Sequence, residues 1–334
     1  MAGVDLTIVW AGIIGFAVFA YVVMDGFDLG IGLLYPGFPV GEARDQAMNS
    51  IAPVWDGNET WLVFGGGGLM AMFPLAYAII LPATYPLIIA MLLGLIFRGV
   101  AFEFRWRHPR HRKLWDIAFT AGSAIAALAQ GMTLGAILQG IRVENNAYAG
   151  GWLDWLSPFS LLTGVCVALG YGLLGATWLI WKTEGAAQAH ARRMAFRLGI
   201  ATLAALAAVS LATPFLSFEY WRRWFEMPQM LLTAPVPVLV TTCAYMFFRS
   251  LSRQEERLPF LMALCLFLLG FAGLAISMYP YAVPQAVTIW QAAAPRESQV
   301  FLLAGTVVIV PLILAYTGWA YWVFRGKVGT GGYH

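Results

Sequence analysis

Residues 21–34 read YVVMDGFDLGIGLL and place two carboxylates, Asp25 and Asp28, inside the first long apolar run of the chain. A carboxylate at membrane depth costs about 2.5 to 3.5 kcal/mol on insertion scales, so it is kept there where it faces a partner, water or a proton path. The i, i+3 spacing puts both acids on one helix face. Gly26, Gly30 and Gly32 open that face to close approach by a neighbouring helix. The stretch predicts a membrane helix with a polar, functional face. At roughly 1.5 Å per residue from residue 7, the acids lie roughly 27 to 32 Å along it, in its inner third.

Outward from this stretch, the composition agrees. Of 334 residues 60% are hydrophobic and 11% charged, against about 25% charged in a soluble domain, which excludes that class. The fold class is all-α, a polytopic membrane protein forming a single integral membrane domain over 1–334. Apolar runs of about 20 residues, enough to cross a bilayer, fall at 7–34, 55–77, 79–101, 115–139, 158–181, 194–215, 231–249, 258–280 and 300–324. The expectation is nine transmembrane helices. Between the second and third, GGGGLMAMFPLAYAIILPATYP leaves almost no loop, and Pro74, Pro82 and Pro86 predict kinks. A faint repeat of 1–140 and 150–280, with the last helix at 300–324 outside it, fits four plus four plus one. Similar small-residue spacing in GFAVFAYVVMDGFDLG and GVCVALGYGLLGATWL supports it, although the second segment lacks the acids.

With odd-numbered helices running inward, all 20 Lys and Arg residues except Arg142, Arg222, Arg223 and Arg296 fall on the inner side. The positive-inside rule then places the N-terminus outside and the C-terminus in the cytoplasm. The densest run, RWRHPRHRK, is flanked by membrane spans and reads as a topological determinant, so the net charge of +3 calls for no nucleic acid. Trp152, Trp155, Tyr220, Trp221, Trp224, Tyr321 and Trp322 read as interfacial anchors. Cys166, Cys243 and Cys265 each sit in an apolar run and read as small packing residues. The first residues carry an acid where a cleavable signal peptide has a basic segment, so the first helix is expected to stay.

The second predicted helix opens with NSIAPVWDGNETW at 49–61, bringing a second i, i+3 acidic pair, Asp56 and Glu59, to the inner side. Arg98, at the inner end of the third helix, and Glu103 lie at comparable depth. The expected polar cluster has two uses: holding helices together by buried ion pairing, or relaying protons. The residue types alone leave both open. His108, His111, His190 and His334 are read as loop or terminal residues, so no helix offers an imidazole to a haem or copper, and no metal or cofactor site is expected in the chain. No phosphate-binding loop, zinc motif or nucleophile constellation is present in the sequence.

MDGFDLGIG, then NSIAPVWDGNETWLV, then LIFRGVAFEFR followed by LWD, resemble the signatures of subunit II of the cytochrome bd quinol oxidases. The length and the closing AYTGWAYWVFRGKV are most similar to the cyanide-insensitive branch. The resemblance covers essentially the whole chain. It implies a bacterial terminal oxidase of the inner membrane that oxidises ubiquinol or menaquinol and reduces dioxygen to water, electrogenic without a pump. It implies a partner, subunit I, holding two haems b, one haem d and the quinol site, with subunit II haem-free and pseudo-symmetric to it: two four-helix bundles plus one peripheral helix. It also implies that Asp25, Asp28, Asp56 and Arg98 belong to a cytoplasmic proton pathway and that Trp61 stands at the mouth of a dioxygen route. Glu59 departs from members with a neutral residue there, which leaves its part in doubt. A small accessory transmembrane subunit and a structural quinone or lipid are compatible with the resemblance. From the residues alone, a proton-coupled secondary transporter and a purely structural scaffold for a partner chain remain alternatives.

Overall fold

The computed structural model describes residues 5–107 and 109–329, so His108 and His334 lie outside the described residues. The chain runs through α1 (Leu6–Leu34), α2 (Glu42–Asn49), α3 (Trp55–Met72), α4 (Pro74–Arg107), α5 (Arg112–Leu138), α6 (Pro158–Lys182) and α7 (Gly185–Ala212). It continues through α8 (Phe218–Phe225), α9 (Gln229–Thr233), α10 (Pro235–Ser252), α11 (Leu258–Met278), α12 (Ile289–Ala292) and α13 (Arg296–Val323). Two small antiparallel hairpins, Val143–Glu144 with Ala147–Tyr148 and Tyr281–Val283 with Val287–Thr288, close loops between helices.

Local chemistry explains the ends. Asp5 caps α1 by accepting from the Thr7 amide at 2.9 Å, and Ser157 with Ser160 forms a reciprocal capping box ahead of Pro158 on α6. Phe73, the residue before Pro74, is pushed off helical geometry (φ −128°, ψ 59°) and separates α3 from α4. Pro82 and Pro86 lie inside α4.

Among the described residues, eight helices are long and apolar enough to cross a membrane. The segment expected as a ninth span, 55–77, differs. Its helix is α3, 18 residues long and about 27 Å at 1.5 Å per residue. Asp56, Asn58 and Glu59 in its first turns lower its hydropathy. It still lies antiparallel along α1: Asn58 Nδ2 donates to Met24 O at 3.3 Å, Gly65 faces Ala17 and Val18, and Gly68 faces Ile14. α13 runs the opposite way to α3, with the Gln299 carbonyl accepting from Trp10 Nε1 at 3.1 Å near the start of α1 and Tyr321 reaching Asn58 near its end.

The interior is built on α6, the most enclosed span. α6 packs against α1, α5 and α7, while α4 lies along α5 and α10 along α11. The two small-residue segments noted in the sequence face each other at the α1–α6 crossing, where a side chain on Gly30 would collide with the Tyr171 carbonyl. Glycine is required there by close backbone approach. α13 is the least covered, with Phe301, Leu312 and Trp319 outward.

Three readings of single residues are corrected. His190 lies within α7, not in a loop, and its ring packs on Phe38 with centroids 4.9 Å apart. Tyr220 is buried and donates to the Leu138 carbonyl at 3.1 Å, and Tyr321 turns inward to Asn58. Neither tyrosine is an interfacial anchor, because each hydroxyl has an internal acceptor that an outward rotamer would forfeit.

Candidate functional site

α1, α3 and α4 meet at Arg98, which is wholly buried. Its Nη1 donates to Asp25 Oδ1 at 2.7 Å and to Glu59 Oε1 at 3.0 Å. Its Nη2 stands 3.6 Å from Asp28 Oδ2. The guanidinium lies 5.9 Å from the Trp55 ring and 6.0 Å from Phe102, and these two rings stack on one another at 4.9 Å. A planar cation between aromatic faces and carboxylates suits arginine's fork and weak hydration.

The position of Arg98 follows from backbone approach. Gly122 on α5 lies against the Gly94 carbonyl and the Arg98 backbone nitrogen, and an added Cβ would overlap both. α4 and α5 therefore cross one turn before Arg98 and direct it at α1.

Charge counting defines what the site can do. One guanidinium faces three carboxyl groups; fully ionised, the cluster would carry two surplus negative charges away from water, where each unpaired ion costs several kcal/mol. It is electrically balanced when the three acids together hold two protons. Asp25 Oδ2, Asp28 Oδ1 and Arg98 Nε have no hydrogen-bond partner among the described residues, so the cluster has capacity for protons or water on both oxygens.

Exposure falls in steps across it. Asp56 is exposed, the Glu59 side chain is 26% exposed, and the Asp25 and Asp28 side chains are 1% and 0% exposed. Asp56 makes no contact with Arg98 and stands within electrostatic range of Glu59. Glu103 points outward and pairs with Arg107 at 3.1 Å. Of the five acids and one base expected to converge, Asp25, Asp28, Glu59 and Arg98 do so; Glu59, the doubtful one, touches Arg98, while Asp56 is one step outside and Glu103 is turned away.

Asn58 and Tyr321 join the site unannounced by the sequence. Asn58 Nδ2 donates to Asp28 Oδ2 at 2.8 Å, and its Oδ1 accepts from the Tyr321 hydroxyl at 2.9 Å. Asn58 lay within the quoted WDGNE stretch, and its polarity between two acids was the available signal. Tyr321 comes from the last helix and carried none.

A second ionic cluster fastens α2, the C-terminal end of α4 and the N-terminal end of α5. Asp116 accepts from Arg44 at 3.0 Å and Arg105 at 2.6 Å, and Asp45 accepts from Arg105 at 2.7 Å. Part of the basic run read as a topological signal thus also ties helices together.

Trp61 is buried, with Phe16 edge-on at 5.5 Å and Phe64 at 6.3 Å. Those two phenylalanines also line an apolar cleft of about 460 Å³ between α1, α3 and α13, with Val9, Ile13 and Val310. Among the described residues no three His, Cys, Asp or Glu side chains are grouped as a metal site.

Residues 6–324 match the family described as cytochrome bd terminal oxidase subunit II. The chain belongs to that family. Cytochrome bd-I ubiquinol oxidase subunit 2 of Escherichia coli K12 is 29% identical, with 97% of this chain and 95% of that protein covered. A probable cytochrome oxidase subunit 2 of Haemophilus influenzae is 30% identical over the same shares. The bd oxidase of Geobacillus thermodenitrificans shares the fold at a TM-score of 0.78 and 18% identity, covering 96% of this chain and 98% of that one. These names do not separate the cyanide-insensitive branch from the rest. As a cytochrome bd subunit II, the protein is a multi-pass subunit of a bacterial inner-membrane terminal oxidase complex.

Proposed function

We propose that this subunit II carries cytoplasmic protons toward the reaction centre of a quinol oxidase whose haems, two b and one d, reside in subunit I. The complex oxidises ubiquinol or menaquinol and reduces dioxygen to water. The length and closing motif support the cyanide-insensitive branch. The N-terminus faces outward and the C-terminus the cytoplasm, which puts the acidic cluster on the proton-supplying side.

The observation that carries this reading is the stepwise burial from Asp56 through Glu59 to Asp25 and Asp28 around a single Arg98. Asp56 takes a proton from water. Glu59, one turn further on the same helix and already bonded to Arg98, accepts it. Asp25 shares the same guanidinium nitrogen with Glu59, so a proton arriving on one acid frees the arginine to pair more closely with the other. Asn58 holds Asp28 in place by an amide hydrogen bond. Water completes the contacts the side chains leave open.

The apolar cleft bounded by Phe16 and Phe64 supports a dioxygen route past Trp61, because a small apolar gas partitions into apolar space. The same cleft suits the chain of a lipid or a structural quinone.

The test is proton uptake from the cytoplasmic side by the haem-replete heterodimer. Asp25→Asn and Glu59→Gln are expected to slow uptake and oxygen reduction about tenfold or more, with quinol affinity unchanged. Normal uptake in both assembled variants would leave the acids a scaffolding role and sink the pathway.

A further inference from the structure

A cavity of about 320 Å³ lies between the α2–α3 turn, the C-terminal end of α6 and the segment that follows α13. Asn49 and Ser50 line it from the first, Trp178 and Lys182 from the second, and Tyr321 with Val328 from the third. The chemistry of its wall calls for water. Trp178 Nε1 and Asn49 Oδ1 are a buried donor and a buried acceptor with no partner among the described residues, and such groups are costly to leave unbonded. A donor and an acceptor in the wall of one space, beside the Lys182 ammonium, are served together by water, and the volume is well above the roughly 30 Å³ that one molecule takes in the liquid.

The roof is a latch. α13 ends at Val323, and the last carbonyls of a helix lack donors within it. Lys182 Nζ donates to the Phe324 carbonyl and, at 2.7 Å, to that of Gly326. The Val328 amide donates to the Lys182 carbonyl at 2.8 Å, and Lys327 Nζ donates to the Thr183 carbonyl at 3.1 Å. None of residues 322–329 is buried, so polar contacts rather than apolar packing hold the roof, and a segment held in this way opens at low cost.

The inner wall is Tyr321. Its hydroxyl donates to Asn58 Oδ1 at 2.9 Å, while Asn58 Nδ2 donates to Asp28 Oδ2 at 2.8 Å and to the Met24 carbonyl at 3.3 Å. A backbone carbonyl only accepts, so the Met24 contact fixes the amide this way round and commits the Tyr321 proton to Asn58. An amide is neither a useful acid nor a useful base, so these two side chains part the cavity from Asp28. Tyr321 also belongs to the last turn of α13, whose end Lys182 holds, which ties the inner wall to the roof.

We propose that this cavity is a water-filled vestibule, roofed by the segment after α13 and closed toward Asp28 by Tyr321, and that release of the roof opens a second aqueous approach to the acidic cluster. The approach reaches Asp28 without passing Asp56 or Glu59. Its use for protons rests on the proposed pathway; the vestibule and its roof do not.

The test reads the vestibule by chemical access. In the purified haem-replete heterodimer, with Cys166, Cys243 and Cys265 replaced by alanine, Ser50→Cys is treated with a charged methanethiosulfonate reagent. Reaction is expected to be slow with the latch intact and about tenfold or more faster in Lys182→Met, the scale of losing a hydrogen bond from a charged donor. Deletion of residues 327–334 should act in the same direction and carries the test if Lys182→Met does not assemble. Equal rates with and without the latch overturn the proposal. The inner wall is read by rescue: in Glu59→Gln, which slows uptake on the proposed pathway, adding Tyr321→Ala should restore proton uptake severalfold. Tyr321→Phe, which removes only the bond to Asn58, serves if the alanine variant does not assemble. No recovery overturns the closure by Tyr321. Normal uptake in Glu59→Gln alone would sink the pathway, and the cysteine rates would still decide the vestibule.

Discussion

Arg98 Nη1 on α4 and Asp25 Oδ1 on α1 are 2.7 Å apart, with the two side chains 0% and 1% exposed. The pair is the pivot of the site, since Glu59 shares the same nitrogen. Pairing of this kind is a weak source of stability while intact, because desolvation offsets most of the attraction, yet breaking it from one side is costly.

Arg98→Leu is expected to destabilise the subunit by about 3 to 5 kcal/mol by leaving acids without their cation. The measurement is the yield of haem-replete complex and its thermal midpoint. Arg98→Lys should recover part of the loss only, because an ammonium has no planar fork to serve Asp25 and Glu59 on one side and Asp28 on the other. Equal stability of Arg98→Leu and the parent would show that the acids are already neutral.

Gly122→Val should lower stability by about 1 to 3 kcal/mol through overpacking at the α4–α5 crossing. Its particular signature is displacement of Arg98, so oxygen reduction should fall further than the loss of folded complex accounts for. Activity per assembled complex equal to the parent would mean that α4 absorbs the clash elsewhere.

Trp61→Ala would open a large cavity at a cost of about 3 to 5 kcal/mol and confuse folding with access. Trp61→Phe retains an aromatic ring between Phe16 and Phe64. It is expected to change the apparent KM for dioxygen while leaving the KM for quinol unaltered, measured by oxygen-consumption traces at saturating quinol. An unchanged oxygen KM would assign Trp61 to packing.

The segment after α13 is strapped to the loop before α11. Lys327 Nζ lies 2.9 Å from Glu256 Oε2, Gln188 Nε2 donates to Glu256 Oε1 at 2.9 Å, and the Val328 amide donates to the Lys182 carbonyl at 2.8 Å. The Lys327 hydrogen bond, followed by that from Gln188, lowers the Glu256 carboxyl below the usual range. A carboxyl lowered on folding contributes stability above its unfolded value and loses it as pH falls through the lowered one. The protection of the residue 324–329 amides, taken against the unstructured-chain exchange rate at the same pH, should therefore be higher at neutral pH than below about pH 4. Glu256→Gln should remove that pH dependence.

Much of the architecture was legible in the chain itself. Apolar runs of bilayer length announce helices wherever the surrounding solvent is lipid, because the backbone has no other partner there. The run at 55–77 misled as to where it ended, since Pro74 acts through the residue before it and the polar first turn weighs against a span of ordinary hydropathy. Asp25, Asp28 and Arg98 were readable because a charge in an apolar run needs a reason. Tyr321 was not, because a tyrosine near the end of a membrane helix is unremarkable until its hydroxyl partner is known.

The sequence by itself determined that this is a multi-spanning helical protein of the cytochrome bd subunit II family, and which helices bear acids within or beside their apolar runs. Its local patterns suffice for that, because hydropathy and helix periodicity act within a single segment. Which acids meet was decided by the tertiary structure. Glu59 rather than Asp56 touches Arg98, and Asn58 is joined by Tyr321 from 263 positions away. The reason is geometric: a one-turn difference in the register of α3 against α1 and α4 decides whether a carboxylate faces a buried guanidinium or water, and that register lies in packing between separate segments, such as Gly65 and Gly68 of α3 against Val18 and Ile14 of α1.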